Sequence, residues 1–112
     1  MSTPAQAKNA SVFRIDSFAV PAEAREAFMA QVQDTKDFLD QQQGCLQNLV
    51  LEHHSGAERF NVVTVVEWES EAAFASAKTA MMEKRGMSGF DPAQFLSALG
   101  IEANMSNYAS VL

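Results

Sequence analysis

The chain has 112 residues, enough for one domain with a two-layer core, and its 47% hydrophobic and 20% charged residues give an ordinary globular balance. Its formal net charge is −6, and of its eight basic residues only Lys84 and Arg85 are adjacent, which excludes nucleic acid and an anionic membrane as partners. A single cysteine, Cys45, rules out an intrachain disulfide, and no apolar run approaches a membrane span. Residues 1–10 lack the apolar centre of a signal peptide and read as a flexible tail, so the expectation is a cytoplasmic protein with one domain over 11–112.

Ser11 to Val20 reads as a strand, with Phe13, Ile15 and Phe18 in imperfect alternation. Pro21 suits a first helical position, and Glu23 and Glu26 sit near the positive end of that helix. Ala24, Phe28, Val32, Thr35 and Leu39 fall on one helical face, joined by Ala27 and Phe38, and Gly44 is expected to end the helix as a left-handed cap. Cys45 to His53 is a second strand, Ser55-Gly56-Ala57 a turn, and Arg59 to Trp68 a third strand. Ser70 caps a second helix whose apolar face is Ala73, Phe74, Ala77, Ala80 and Met81. Arg85 to Phe90, with Gly86 and Gly89, reads as a loop. Asp91-Pro92 opens a short helix carrying Phe95 and Leu96 that stops at Gly100, and Ile101 to Val111 is the last strand.

The order is β-α-β-β-α-β with a helical insert before the final strand. That is a ferredoxin-like α+β fold: a four-stranded antiparallel sheet with helices on one face. On the third strand Val62, Thr64, Val66 and Trp68 point to one side, and Val63 and Val65 point to the other. The first set packs under helices. Val63 and Val65 would meet water in a monomer, where burial gains roughly 1.5–3 kcal/mol each. A homodimer through the open sheet face is therefore expected.

The stretch Val66-Glu67-Trp68-Glu69-Ser70-Glu71-Ala72-Ala73-Phe74 resembles the signature of the antibiotic biosynthesis monooxygenase family, within the dimeric α+β barrel superfamily. Gly44-Cys45-Leu46 resembles that family's start-of-strand pattern, and the resemblance extends over Ser11 to Tyr108. Trp68 roofs the space between sheet and helix, Ser70 caps the next helix and Phe74 begins its buried face. Those residue types serve folding as readily as chemistry.

The resemblance implies cofactor-independent oxidation of a small electron-rich hydroxyaromatic or quinol. The substrate anion passes an electron to O2, and the resulting peroxide collapses to a quinone. The protein then has to exclude water, stabilise the anion and hold O2 nearby. Family members often carry an Asn four positions before the Trp and a Tyr six after it; here Thr64 and Phe74 stand there. A cation near the end of the second helix recurs, and Arg85 fills that place. Haem-degrading members resemble the chain at the Trp, but carry a ligating His about ten residues later and an Asn on the first strand. Lys78 stands at the first position and Ser11 to Phe18 contains no Asn, which argues against haem.

On this basis Trp68, Arg85 and Thr64 are the catalytic candidates. Val66, Phe74, Met81 and Phe90 are the substrate-binding candidates, around a cavity closed by the Arg85–Phe90 loop. Arg85 serves a substrate anion or the negative end of its own helix. Met82 and Met87 suit a pliable wall or plain surface, and Tyr108 a ligand or the dimer interface. His53 and His54 are strand neighbours that point to opposite faces, so they read as a strand end rather than an ion grip. Cys45 reads as a small filler with no activating base nearby. Two further functions fit the scaffold: a non-enzymatic binder of apolar ligands, and an isomerase-like proton-transfer enzyme. A buried acid or base in the pocket would favour the latter, with His53, His54 and Glu52 the candidates. Neither a phosphate-cradling Gly-rich fingerprint nor a metal-ligand cluster is visible. Purified protein is expected to carry no stoichiometric metal or flavin; elemental analysis and a visible absorption spectrum check this.

Overall fold

Along the first strand, β1 (Val12–Ala19), Val12 and Phe18 are buried while Phe13 and Ile15 are only half-buried, so the even-numbered positions face the interior. The computed structural model describes residues 11–112, and the tail expected over 1–10 lies outside the described residues. After β1 come helix α1 (Arg25–Asp40), strands β2 (Cys45–Glu52) and β3 (Val62–Trp68), helices α2 (Glu71–Ser88) and α3 (Pro92–Ala98), and strand β4 (Glu102–Tyr108). The strands form one sheet in the order β2-β3-β1-β4, with every neighbouring pair antiparallel. This is the ferredoxin-like α+β arrangement expected from the sequence, with α3 as the insert before the last strand. Among the described residues no helix is long and apolar enough to cross a membrane.

The register fixes what lies on the inner face. Val12 and Cys45 flank Trp68; Arg14 and Asn48 flank Val66; Asp16 and Val50 flank Thr64; and Phe18 lies opposite Val62. On the other side of β1, Met105 of β4 lies opposite Asp16. The apolar residues of this face fall into two clusters. One holds Phe18, Val20, Ala24, Phe28, Val62 and Ile101, with the Phe18 and Phe28 rings 4.9 Å apart. The other holds Val12, Val66, Trp68 and Ala77, with Leu39, Cys45, Ala73 and Phe74 packed around them. Arg14, Asp16 and Thr64 occupy the strand positions between the two.

Several element ends differ from the sequence reading. A 3-10 turn, Ala22–Ala24, follows Pro21 before α1 begins. Helix α1 stops at Asp40 with Gln41 as its cap, so Gly44 is not that cap. Gly44 does take a left-handed φ of +91°, at the turn into β2, where its carbonyl accepts the Glu69 amide at 2.8 Å. β3 starts at Val62 rather than Arg59. The Asn61 side chain instead clamps the end of β1, accepting from the Val20 amide at 2.8 Å and donating to its carbonyl at 2.9 Å. Two outgoing backbone groups are thereby satisfied at a site where the ladder has ended.

The largest correction concerns Arg85–Phe90. Helix α2 runs on through Ser88, so Arg85 sits in its last turn and not in a loop. Gly86 costs some helical propensity without breaking the helix, because one glycine costs only about 1 kcal/mol against Ala. The stop is Gly89, whose φ of +74° makes the left-handed cap and whose amide donates to the Arg85 carbonyl at 2.8 Å.

On the outer face Val63 and Val65 are half-buried, and Leu49, Leu51 and Tyr108 are exposed. Among the described residues no helix covers them.

Two glycines separate steric from conformational cost. A Cβ on Gly44 would lie 2.5 Å from the Ala73 Cβ of α2, whereas one on Gly56, at φ +90°, meets nothing. Gly56→Ala is expected to cost about 1–2 kcal/mol of backbone strain alone. Gly44→Ala should cost that plus about 1–3 kcal/mol for forcing β2 and α2 apart. Parallel urea denaturation of the two variants measures the gap.

Candidate functional site: a cavity between the split inner face and the helices

Between the two apolar clusters lies a cavity of about 280 Å³. Its floor is the inner face of β1 and β3, and its walls come from α1, α2 and α3. All seven catalytic and substrate-binding candidates reach it. Thr64, Val66 and Trp68 line the floor, Phe74, Met81 and Arg85 project from α2, and Phe90 follows the helix cap. Trp68 is only 2% exposed, so it is packed in the core and also borders the void. Phe90 stacks at a tilt on Phe95 of α3, with ring centroids 5.4 Å apart. The closing segment is therefore Phe90 packed on Phe95 of α3, a helix capped by Asp91, rather than a glycine loop. Asp91 holds that helix by accepting the Gln94 amide at 3.2 Å.

The polar residues of the cavity were mostly missed by sequence reasoning. Arg14 and Asp16 sit on the inner face of β1, and the Arg14 Nε donates to the Asp16 Oδ1 at 2.6 Å. Burial pushes the Asp16 carboxyl above its usual range, against the opposing pull of Arg14. Arg85 is half-buried at the same cavity; burial first, then repulsion from Arg14, lowers its pKa from the ordinary guanidinium value. Among the described residues no carboxylate forms an ion pair with Arg85. Lys36 and Lys78 also line the cavity, and Lys36 is paired with Asp40 at 3.0 Å. An acidic protein has thus gathered cations around one apolar void, with a single carboxylate among them. The available signal was the broken alternation of β1: polar residues at 14 and 16 share a face with Val12 and Phe18.

Most of the remaining candidates lie elsewhere. His53 and His54 are exposed at the β2–β3 turn, where the His53 Nε2 meets the Gly56 carbonyl at 2.7 Å. Glu52 forms a fully exposed two-point ion pair with Arg25, at 2.8 and 2.9 Å. None of these three lines the cavity. Burial, and then the Asp40 carboxylate, raise the Cys45 thiol above its ordinary value, the reverse of what a nucleophile needs. Met82 is a wall residue, while Met87 is 90% exposed and outside the cavity. Among the described residues no group of three or more His, Cys, Asp or Glu side chains is placed to hold a metal ion. A haem iron would find no His, Cys or Tyr in the cavity lining, so the residues present do not fit haem ligation by those groups.

A ferredoxin-like α+β chain with a ligand-sized void over its central strands defines the class. The profile of the antibiotic biosynthesis monooxygenase family matches residues 11–83, and the chain belongs to that family. A candidate monooxygenase of Shewanella loihica PV-4 shares 27% identity at a TM-score of 0.69, over 92% of this chain and 96% of that one. SnoaB, a cofactor-independent oxygenase of Streptomyces nogalater, shares 19% at a TM-score of 0.67, over 92% and 95%. A heme-degrading protein of Mycobacterium tuberculosis shares 20% at a TM-score of 0.57, over 91% and 92%. No curated protein sequence matches the chain.

The raised Asp16 pKa carries a stability consequence. The native state holds this proton more tightly than the unfolded chain, so stability falls as pH rises from the ordinary value of 3.8 through the raised one. The native protein bears that cost in full once the pH is above the raised value. Asp16→Asn is expected to raise Tm at pH 7, with the difference closing as pH is lowered toward 3.8. Calorimetry of both proteins across this range measures it; a lower Tm for the variant at neutral pH would contradict the burial argument.

Proposed function

We propose that the protein is a monooxygenase that oxidises a small electron-rich hydroxyaromatic or quinol with O2, without metal or flavin. The observation that carries this reading is the apolar cavity beside Trp68 with Arg85 at its wall and no carboxylate paired to that guanidinium among the described residues. A phenolate formed there would meet a fixed positive charge in a desolvated space, where the attraction is far stronger than in water. Family membership and the likeness to SnoaB support the same chemistry. Thr64 adds a hydroxyl on the floor for one oxygen of the substrate. Val66, Phe74, Met81 and Phe90 supply apolar contact with a flat ring.

A proton-transfer isomerase is the second reading, favoured by the Asp16 carboxylate in the lining. Oxygen uptake separates the two, since an isomerase consumes none.

We also propose that the working unit is a homodimer joined through the outer sheet face. Leu49, Leu51 and Tyr108 are 38%, 48% and 53% exposed there, beside Val63 and Val65. An apolar sheet face of this kind needs a cover, and a second copy supplies one of matching shape. Val63→Lys would place a charge in that contact. Light scattering is expected to report a dimer for the parent chain and a monomer or unfolded protein for the variant. A stable parent monomer at micromolar concentration would sink the assembly.

For the chemistry, the decisive assay is oxygen consumption against a panel of quinols, naphthols and anthrones. Arg85→Ala is expected to lower turnover by about 10²–10³-fold, the usual cost of removing one oxyanion-stabilising donor. Its Tm should hold, because the substitution removes a desolvated charge and its repulsion with Arg14. Trp68→Phe should lower both turnover and Tm, since Trp68 is packed as well as cavity-lining. Unchanged kinetics in Arg85→Ala would remove that residue from the mechanism.

A further inference from the structure

We propose that Asp16 is the proton acceptor of this cavity, taking a proton from an acidic O–H or C–H of a bound hydroxyaromatic. The inference borrows its substrate class from the monooxygenase reading, but it does not require oxygen chemistry.

The placement of Asp16 is costly for folding alone. It stands at the centre of the sheet's inner face, in line with Val12 and Phe18, where an apolar side chain would join the two clusters. Its side chain is only 18% exposed. One oxygen, Oδ1, is held by the Arg14 Nε; the other, Oδ2, has no hydrogen-bond partner among the described residues. A carboxylate fixed by one oxygen and free at the other is arranged to receive a proton from a neighbour. It is also the sole carboxylate lining the cavity among the described residues.

The charges around it suit the step. Arg14 lies beside Asp16 on its own strand, Lys36 comes from α1, and Lys78 and Arg85 come from α2. The sheet neighbours Asn48, Thr64 and Met105 are neutral, as are the α3 residues Phe95 and Leu96. Protonating Asp16 leaves a neutral acid paired with Arg14 and moves the negative charge onto the substrate, where Arg85, which pairs with no carboxylate among the described residues, can meet it. Burial raises the Asp16 pKa, which makes it a stronger base than a surface carboxylate and brings it nearer to neutral pH.

The proton balance is simple. A substrate C–H or O–H bond breaks, its electron pair stays on the ring system as an enolate or phenolate, and the proton bonds to Asp16. With an anthrone in the oxygenation, the ring carbon bonds to O2 and Asp16 returns its proton to the distal peroxide oxygen. The second ring C–H then breaks, its electron pair forms the C=O as the O–O bond cleaves, and the departing hydroxide takes up that proton as water.

The test uses 1,8-dihydroxyanthrone as probe, held anaerobically in D2O with the purified protein. Proton NMR follows exchange of its ring CH2 protons, which requires abstraction but no oxygen. The parent chain is expected to accelerate exchange over buffer, and Asp16→Asn to slow it by about 10²–10⁴-fold, the range of general base catalysis. Asp16→Ala should recover exchange on addition of formate, a response that a merely structural role would not give. Melting curves establish that both variants fold. Exchange in Asp16→Asn within twofold of the parent, or a parent no faster than buffer, overturns the proposal. Parallel oxygen uptake keeps the two claims apart. Exchange that depends on Asp16 without any uptake leaves the base assigned and the monooxygenase reading wrong; uptake undiminished in Asp16→Asn does the reverse.

Discussion

The structure depends on one violation of ordinary strand patterning: a charged pair, Arg14 and Asp16, on the face of β1 that should be apolar throughout. A four-stranded sheet under two helices would normally close into one continuous core. Here the inner face is apolar at both ends and polar at its middle. The Phe18–Phe28 cluster holds one end, and the Trp68–Ala77 cluster holds the other. The helices cannot settle onto desolvated charges, so a void persists where the two clusters fail to meet.

That void then organises the rest. Helix α2 passes over it and delivers Phe74, Ala77, Met81 and Arg85 from successive turns, a consequence of their spacing by three and four residues along one helical face. The left-handed cap at Gly89 ends this helix and turns the chain back, so that Phe90 and the short α3 can close the remaining side. Gly44 does comparable work at the far end. Its missing side chain lets the start of β2 approach Ala73, which draws the Trp68 end of the sheet tight against α2. Rigid packing at both ends and a desolvated gap between them is the arrangement in which a few fixed charges act most strongly on a ligand.

Much of this was legible in the sequence. The alternation of β3 placed Thr64, Val66 and Trp68 on one face, and the helical spacing of Phe74, Ala77 and Met81 placed them above it. The order of elements then fixed the ferredoxin-like topology. Two features were not legible, for different physical reasons. Gly86 and Gly89 look alike as letters, yet only Gly89 has a left-handed φ, so composition alone ends the helix too early and puts Arg85 on a loop. Asp16 was overlooked because a lone carboxylate on a strand is usually solvated. Its inward direction is visible only when its parity is read against Val12 and Phe18. Met105 and Phe95 belong to the cavity through register and tertiary approach, which local spacing does not encode.

The central claim is that the split inner face is a ligand site, and its methionine methyl groups report on it directly. Met81 and Met105 line the cavity, whereas Met87 is exposed outside it. Methyl NMR of the protein titrated with 1-naphthol should show saturable shifts at Met81 and Met105, with Met87 unmoved. Shifts absent from Met81 and Met105 at saturating 1-naphthol, or found only at Met87, would contradict the account.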